Sequence, residues 1–141
     1  MRPAILLLFA FLAPACFLSA QSKIDLGELN GANYRIDMPA NWNGGLIMYC
    51  HGYSGTPGRF TDKPIALVDA FTSLGYAVSQ SGYVAGGWTV KEASENTAEL
   101  QRFFLRKYGA AKEVFIIGHS MGGFLTTVSY THLTLPTIYS V

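Results

Sequence analysis

The chain has 141 residues, of which 50% are hydrophobic and 13% charged, with a formal net charge of +1. That composition is globular and excludes a charge-rich disordered polypeptide. So balanced a charge supplies no field for a nucleic-acid partner or for anchoring to an anionic membrane surface.

Residues 1–20 read as an export signal: a positive start at Met1-Arg2, an apolar stretch from Ala4 to Leu12, and a small-residue exit Leu18-Ser19-Ala20 with cleavage before Gln21. Pro14 and the polar Gln21-Ser22-Lys23 argue against a membrane span. Ala13-Pro14-Ala15-Cys16 is a poor likeness of a lipoprotein cleavage box, lacking Leu three residues before the cysteine and followed by Phe17. The expected location is therefore secreted or periplasmic, with lipid anchoring through Cys16 as the alternative. Loss of the leader removes Arg2, leaving nine of the ten basic residues against nine acidic ones. Cys50 is then the one cysteine left; it either lacks a partner or serves as a small inert core residue.

The first strong element is Gly45-Leu46-Ile47-Met48-Tyr49-Cys50, nearly all apolar, as in a central parallel strand covered on both faces. It empties into His51-Gly52-Tyr53-Ser54-Gly55. A helix is expected over Arg59 to Leu74, capped by Asp62, with Pro64 in its first turn, Ile65, Val68, Phe71 and Leu74 on one face, and Gly75 ending it. Tyr76 to Gln80 follows as a short strand. The loop Ser81 to Trp88 leaves that strand on the sheet edge where such folds bind substrates, and its Tyr83 and Trp88 offer flat walls for one. Packing of Trp88 beneath the loop, to anchor the next helix, is the other reading. That helix has a capping box in Thr89 and Glu92, a stripe through Ala93, Thr97, Leu100, Phe104 and Tyr108, and a stop at Gly109. The alternation implies a parallel sheet built from crossover units. Without repeats or a linker, 21–127 reads as part of one domain.

Val114-Phe115-Ile116-Ile117 then delivers Gly118-His119-Ser120-Met121-Gly122. A buried strand feeding a GxSxG turn into a helix is the pattern of a nucleophile elbow, in which serine occupies a sharp corner with Oγ held clear of the backbone. At that corner the flanking glycines come too close to neighbouring backbone to carry a Cβ. Ser120 is the candidate nucleophile; the competing reading is an ordinary glycine-rich turn.

The His51-Gly52 loop, the elbow and their order resemble the α/β-hydrolase superfamily over about residues 30 to 126. Asn33-Tyr34-Arg35-Ile36-Asp37-Met38-Pro39 is similar to the opening of secreted carboxylesterases and polyester depolymerases, with prolyl-oligopeptidase-type hydrolases close behind. The resemblance implies an α/β fold: a mostly parallel sheet with flanking helices, truncated after the elbow. It also implies an oxyanion hole made by the backbone N–H groups of Tyr53 and Met121, each such donor being worth about 3 kcal/mol of barrier. No metal or organic cofactor is implied.

In this fold the triad follows the order Ser, Asp or Glu, His. No acidic residue lies beyond Ser120, and His132 is too near in sequence to be brought in by a later strand. Val128 to Thr137 resembles the in-frame translation of a transposase-type sequencing adapter, GTC TCT TAT ACA CAT CTG ACG CTG CCG ACG. Residues from about 127 onward, with 128–141 as the tail proper, are therefore expected not to be encoded by the gene; a genuine β-prone tail is the alternative. Such a chain would leave the Val114–Ile117 strand as a bare apolar edge, fold poorly and show no turnover.

Taken together, the complete product is expected to be an exported serine hydrolase acting on a small or polymeric carboxylic ester through an acyl-enzyme on Ser120. It needs no nucleic-acid partner and no membrane span after signal cleavage. A serine peptidase of related fold and a non-catalytic hydrolase-like binding protein are the alternatives.

Overall fold

The computed structural model describes residues 22–132 and 138–140. The export signal and Cys16 lie outside the described residues, as do 133–137 and 141 of the tail.

Strands β1 (Lys23–Leu29) and β2 (Ala32–Met38) form an antiparallel hairpin that was not expected. Its signal is Asn30-Gly31: with φ of 49° and 86°, both residues take the left-handed conformation that a two-residue type I′ connection demands. β2 pairs antiparallel with β4 (Ala77–Ser81), which runs parallel to β3 (Gly45–Cys50); β3 runs parallel to β5 (Glu113–Gly118). With β6 (Ile138–Ser140) the sheet order is β1-β2-β4-β3-β5-β6. β6 runs parallel to β5 over Val114↔Ile138 to Ile116↔Ser140, so the elbow strand is not the bare edge expected of it.

Helices cover both faces. Leu46, Met48 and Cys50 point to one side, where they meet Leu100 and Phe104 of α2 (Val90–Tyr108) and Leu125 of α3 (Met121–His132). Ile47 and Val78 point to the other, against Val68 and Phe71 of α1 (Ala66–Ser73). The alternation is the two-residue period of a strand buried on both faces, and each such side chain contributes about 1.5–3 kcal/mol by leaving water.

Two helix starts differ from expectation. α1 begins at Ala66 rather than Arg59, and its N-cap Ile65 makes no side-chain cap. The cause is Arg35. Arg35 and Asp37 share a face of β2, and the guanidinium grips the carboxylate through Nε (2.8 Å) and Nη2 (2.7 Å). Nη1 donates to the carbonyls of Thr61 and Lys63, both at 2.7 Å. Those carbonyls are taken by a cation instead of a helical ladder, and Pro64 further disfavours a helical Lys63. At α2, Thr89 is the N-cap, but at φ −95° and ψ 61° its hydroxyl donates back to Ala85 O (3.3 Å), and the capping box with Glu92 does not form. Gly75 and Gly109, at φ 86° and 101°, end α1 and α2 as expected.

Candidate active site

The elbow lies where β5 ends and α3 begins. Ser120 has φ of 55°, a left-handed conformation that costs a side-chain-bearing residue about 1–3 kcal/mol and persists only where the surroundings enforce it. The enforcement is steric. A Cβ on Gly118 would stand 2.4 Å from the carbonyl carbon of Gly122, and one on Gly122 would stand 2.0 Å from Cys50 O and 2.7 Å from His51 O. The crossing of strand and helix is thus as tight as two bare α-carbons permit. Ser120 is exposed, and among the described residues none hydrogen-bonds to its Oγ.

The loop after β3 lies against this corner. An added Cβ at Gly52 would be 3.3 Å from Ser120 Cβ and 3.0 Å from His119 Nε2. The two motifs, far apart in sequence, are therefore adjacent in space. Tyr53 follows at 61% exposed, whereas Met121, first residue of α3, has a buried side chain. Neither backbone N–H is taken up by another described residue. For Met121 this is the ordinary state of a first-turn donor, positive and without an intrahelical partner.

Both motif histidines are held by neighbours. His119 Nδ1 shares a 2.8 Å hydrogen bond with the Tyr49 hydroxyl, and its ring lies over Tyr49. His51 Nδ1–H donates to Gly52 O at 2.7 Å, and its ring stacks on Tyr83 with centroids 4.1 Å apart. Burial holds His51 below its ordinary 6.5, so it is neutral in the fold at pH 7. Beneath them the Cys50 thiol is fully buried, and burial pushes its pKa to about 11, the property of an inert core residue.

Of the two aromatics expected to wall a substrate site, only Trp88 presents surface, at 64% exposed. Tyr83 is 2% exposed and belongs to the core: its φ of 55° turns the ring inward under His51 instead of outward. Trp88 is not packed beneath the loop. It follows Gly87, which bridges Ser54, so it stands next to the loop carrying Tyr53. The Tyr49–His119 pair was missed because a histidine inside GxSxG carries no signal of a partner 70 residues away.

No family model and no curated protein sequence matches the chain. Solved structures do. A thermostable carboxyl esterase from Bacillus coagulans superposes with a TM-score of 0.62 at 16% identity, over 84% of this chain and 43% of its own. An α/β serine hydrolase without a lid from Xanthomonas campestris gives 0.61 at 15% identity, over 84% and 60%. An acetyl xylan esterase from Aspergillus awamori gives 0.58 at 24% identity, over 79% and 48%. The fold is that of the α/β hydrolases. Within an α/β-hydrolase sheet the elbow and the loop after β3 stand together at the C-terminal ends of parallel strands, where open α/β sheets bind their ligands. The chain spans less than two-thirds of the length of each of these structures.

Proposed function

We propose that the complete protein is an exported serine hydrolase that cleaves carboxylic esters through Ser120. The observation that carries this reading is the left-handed φ of 55° at an exposed serine between two glycines that admit no Cβ. Asn30 bears a similar φ in its hairpin turn, but among the described residues Ser120 alone combines it with an exposed hydroxyl and two flanking glycines that admit no Cβ. Ser120 Oγ attacks the ester carbonyl and gives up its proton to a base outside these 141 residues. The tetrahedral oxyanion is met by the Tyr53 and Met121 N–H groups, and collapse expels the alcohol to leave an acyl-Ser120 that water hydrolyses. Trp88 supplies an exposed aromatic wall for the substrate.

The leader 1–20 directs export, and the stretch from about 127 is adapter-derived. Resequencing the locus tests the latter: the proposal requires a frame that continues past this point with an acidic residue and a histidine, and an intact genomic frame ending at Val141 contradicts it.

A peptidase reading has one specific support. An acylaminoacyl peptidase also superposes, with a TM-score of 0.62 at 18% identity, over 81% of this chain and 21% of its own. Hydrolysis of p-nitrophenyl esters but not of peptide anilides by the protein from the complete frame supports the esterase, and the reverse supports the peptidase.

A further inference from the structure

Tyr83 is a bulky residue held at φ 55°, with its ring 2% exposed and stacked on His51. Its hydroxyl donates to His51 O at 3.4 Å. Such a backbone persists only when its surroundings over-determine it. Three hydrogen bonds do so: Gly82 N to Asn33 O (2.7 Å), Tyr83 N to Ser81 Oγ (3.2 Å) and Val84 N to Asn96 Oδ1 (2.9 Å). They fix the segment to β2, β4 and α2.

The segment in turn grips the loop after β3 at both ends. Gly58 N donates to Gly82 O at 2.6 Å, and Gly87 N donates to Ser54 O at 2.7 Å. Contact is so close that a Cβ on Gly82 would lie 2.3 Å from Gly58 O, and one on Gly86 2.4 Å from Gly55 O. Consecutive loop residues therefore lean on two strained residues: His51 on Tyr83, and Gly52 on Ser120, each at φ 55°.

We propose that Tyr83 is a positioning residue, a strut that sets the height of the loop after β3 and so the distance of the Tyr53 N–H from Ser120. It touches no substrate and acts through His51. The proposal rests on the reading of Tyr53 as an oxyanion donor. Because a displacement of about 1 Å at a reacting centre can cost about 100-fold in rate, a strut under such a donor is a rate-determining piece of structure.

The test is kinetic, on the protein from the complete reading frame, with a p-nitrophenyl ester and with melting temperatures measured alongside. Y83L removes the ring and is expected to lower kcat about 10- to 100-fold with KM within about threefold, while Y83F, keeping the ring, stays within about threefold in both. H51L removes the ring through which Tyr83 acts and is expected to lower kcat about tenfold; it decides the matter if Y83L does not fold. If S120A abolishes turnover while folded Y83L or H51L keeps the parental kcat, the strut is overturned and the hydrolase reading stands. If S120A retains turnover, the hydrolase reading itself has failed. A ring with a merely structural role would lower the melting temperature and leave kcat of the folded protein unchanged.

Discussion

Gly122 lies so close to Cys50 that a Cβ placed on it would stand 2.0 Å from the Cys50 carbonyl oxygen. Neither side has slack: the carbonyl ends β3 and Gly122 sits in the first turn of α3, which packs on the same strand. G122A is therefore expected to destabilise the protein by about 3 kcal/mol or more, the effect of overpacking against backbone that cannot rotate away. G123A is the control, since a Cβ there meets nothing nearer than 3.5 Å. Denaturant melts of the two variants measure the contrast.

Ser120 stores strain at the position proposed for the nucleophile. S120G removes the penalty of a side chain at φ 55° and is expected to raise stability by about 1 kcal/mol while abolishing ester hydrolysis. S120A also abolishes turnover but keeps the Cβ, so it gains no such stability. Paired thermal melts and ester assays read both effects.

The Arg35–Asp37 pair is buried, with side chains 2% and 8% exposed. The guanidinium is buried, and D37A removes the carboxylate that it grips through Nε and Nη2. The expected loss is about 3–5 kcal/mol, larger than for an exposed pair such as Lys91–Glu95. R35M/D37L, which replaces both charges with apolar groups, recovers only part of it, because the carbonyls of Thr61 and Lys63 lose their Nη1 donor; chemical denaturation of the two variants gives the comparison.

Acid sensitivity follows from two groups with depressed pKa values. Burial holds His51 below its ordinary 6.5, so the unfolded chain binds the proton first, and stability present above 6.5 is lost as pH falls from there toward the folded value. For Asp25, burial raises the pKa, but hydrogen bonds from Lys107 and Tyr108, both at 2.6 Å, outweigh it and leave the pKa below 3.8. Its contribution is present above 3.8 and lost as pH falls through the folded value. H51F is expected to flatten the first of these losses and leave the second. Melting temperature against pH for both proteins checks this.

How much of this was legible in the sequence depended on whether a residue's role is local. The elbow could be read because strand, glycines and serine are contiguous, and β3 because it is an uninterrupted apolar run. α2 showed its stripe through Ala93, Thr97, Leu100 and Phe104, whereas of the face expected for the first helix only Val68 and Phe71 lie within α1, and Leu74 is exposed. What stayed hidden was set by distant partners: the α1 start shifted because Arg35 on β2 takes the carbonyls of Thr61 and Lys63. Tyr83 turned inward because its backbone is tied to Asn33 and Asn96 through its neighbours. The β1–β2 hairpin was readable in principle, since Asn30-Gly31 is a strong short-range turn signal.

The central claim is that Ser120 is a nucleophile, and covalent capture measures it most directly. The protein from the complete reading frame is treated with a fluorophosphonate probe, digested, and the modified residue located by peptide mass spectrometry. The account predicts one phosphonyl group, on Ser120, absent in S120A and in protein denatured beforehand. A folded protein that takes up no probe, or takes it up equally with Ser120 replaced, contradicts it.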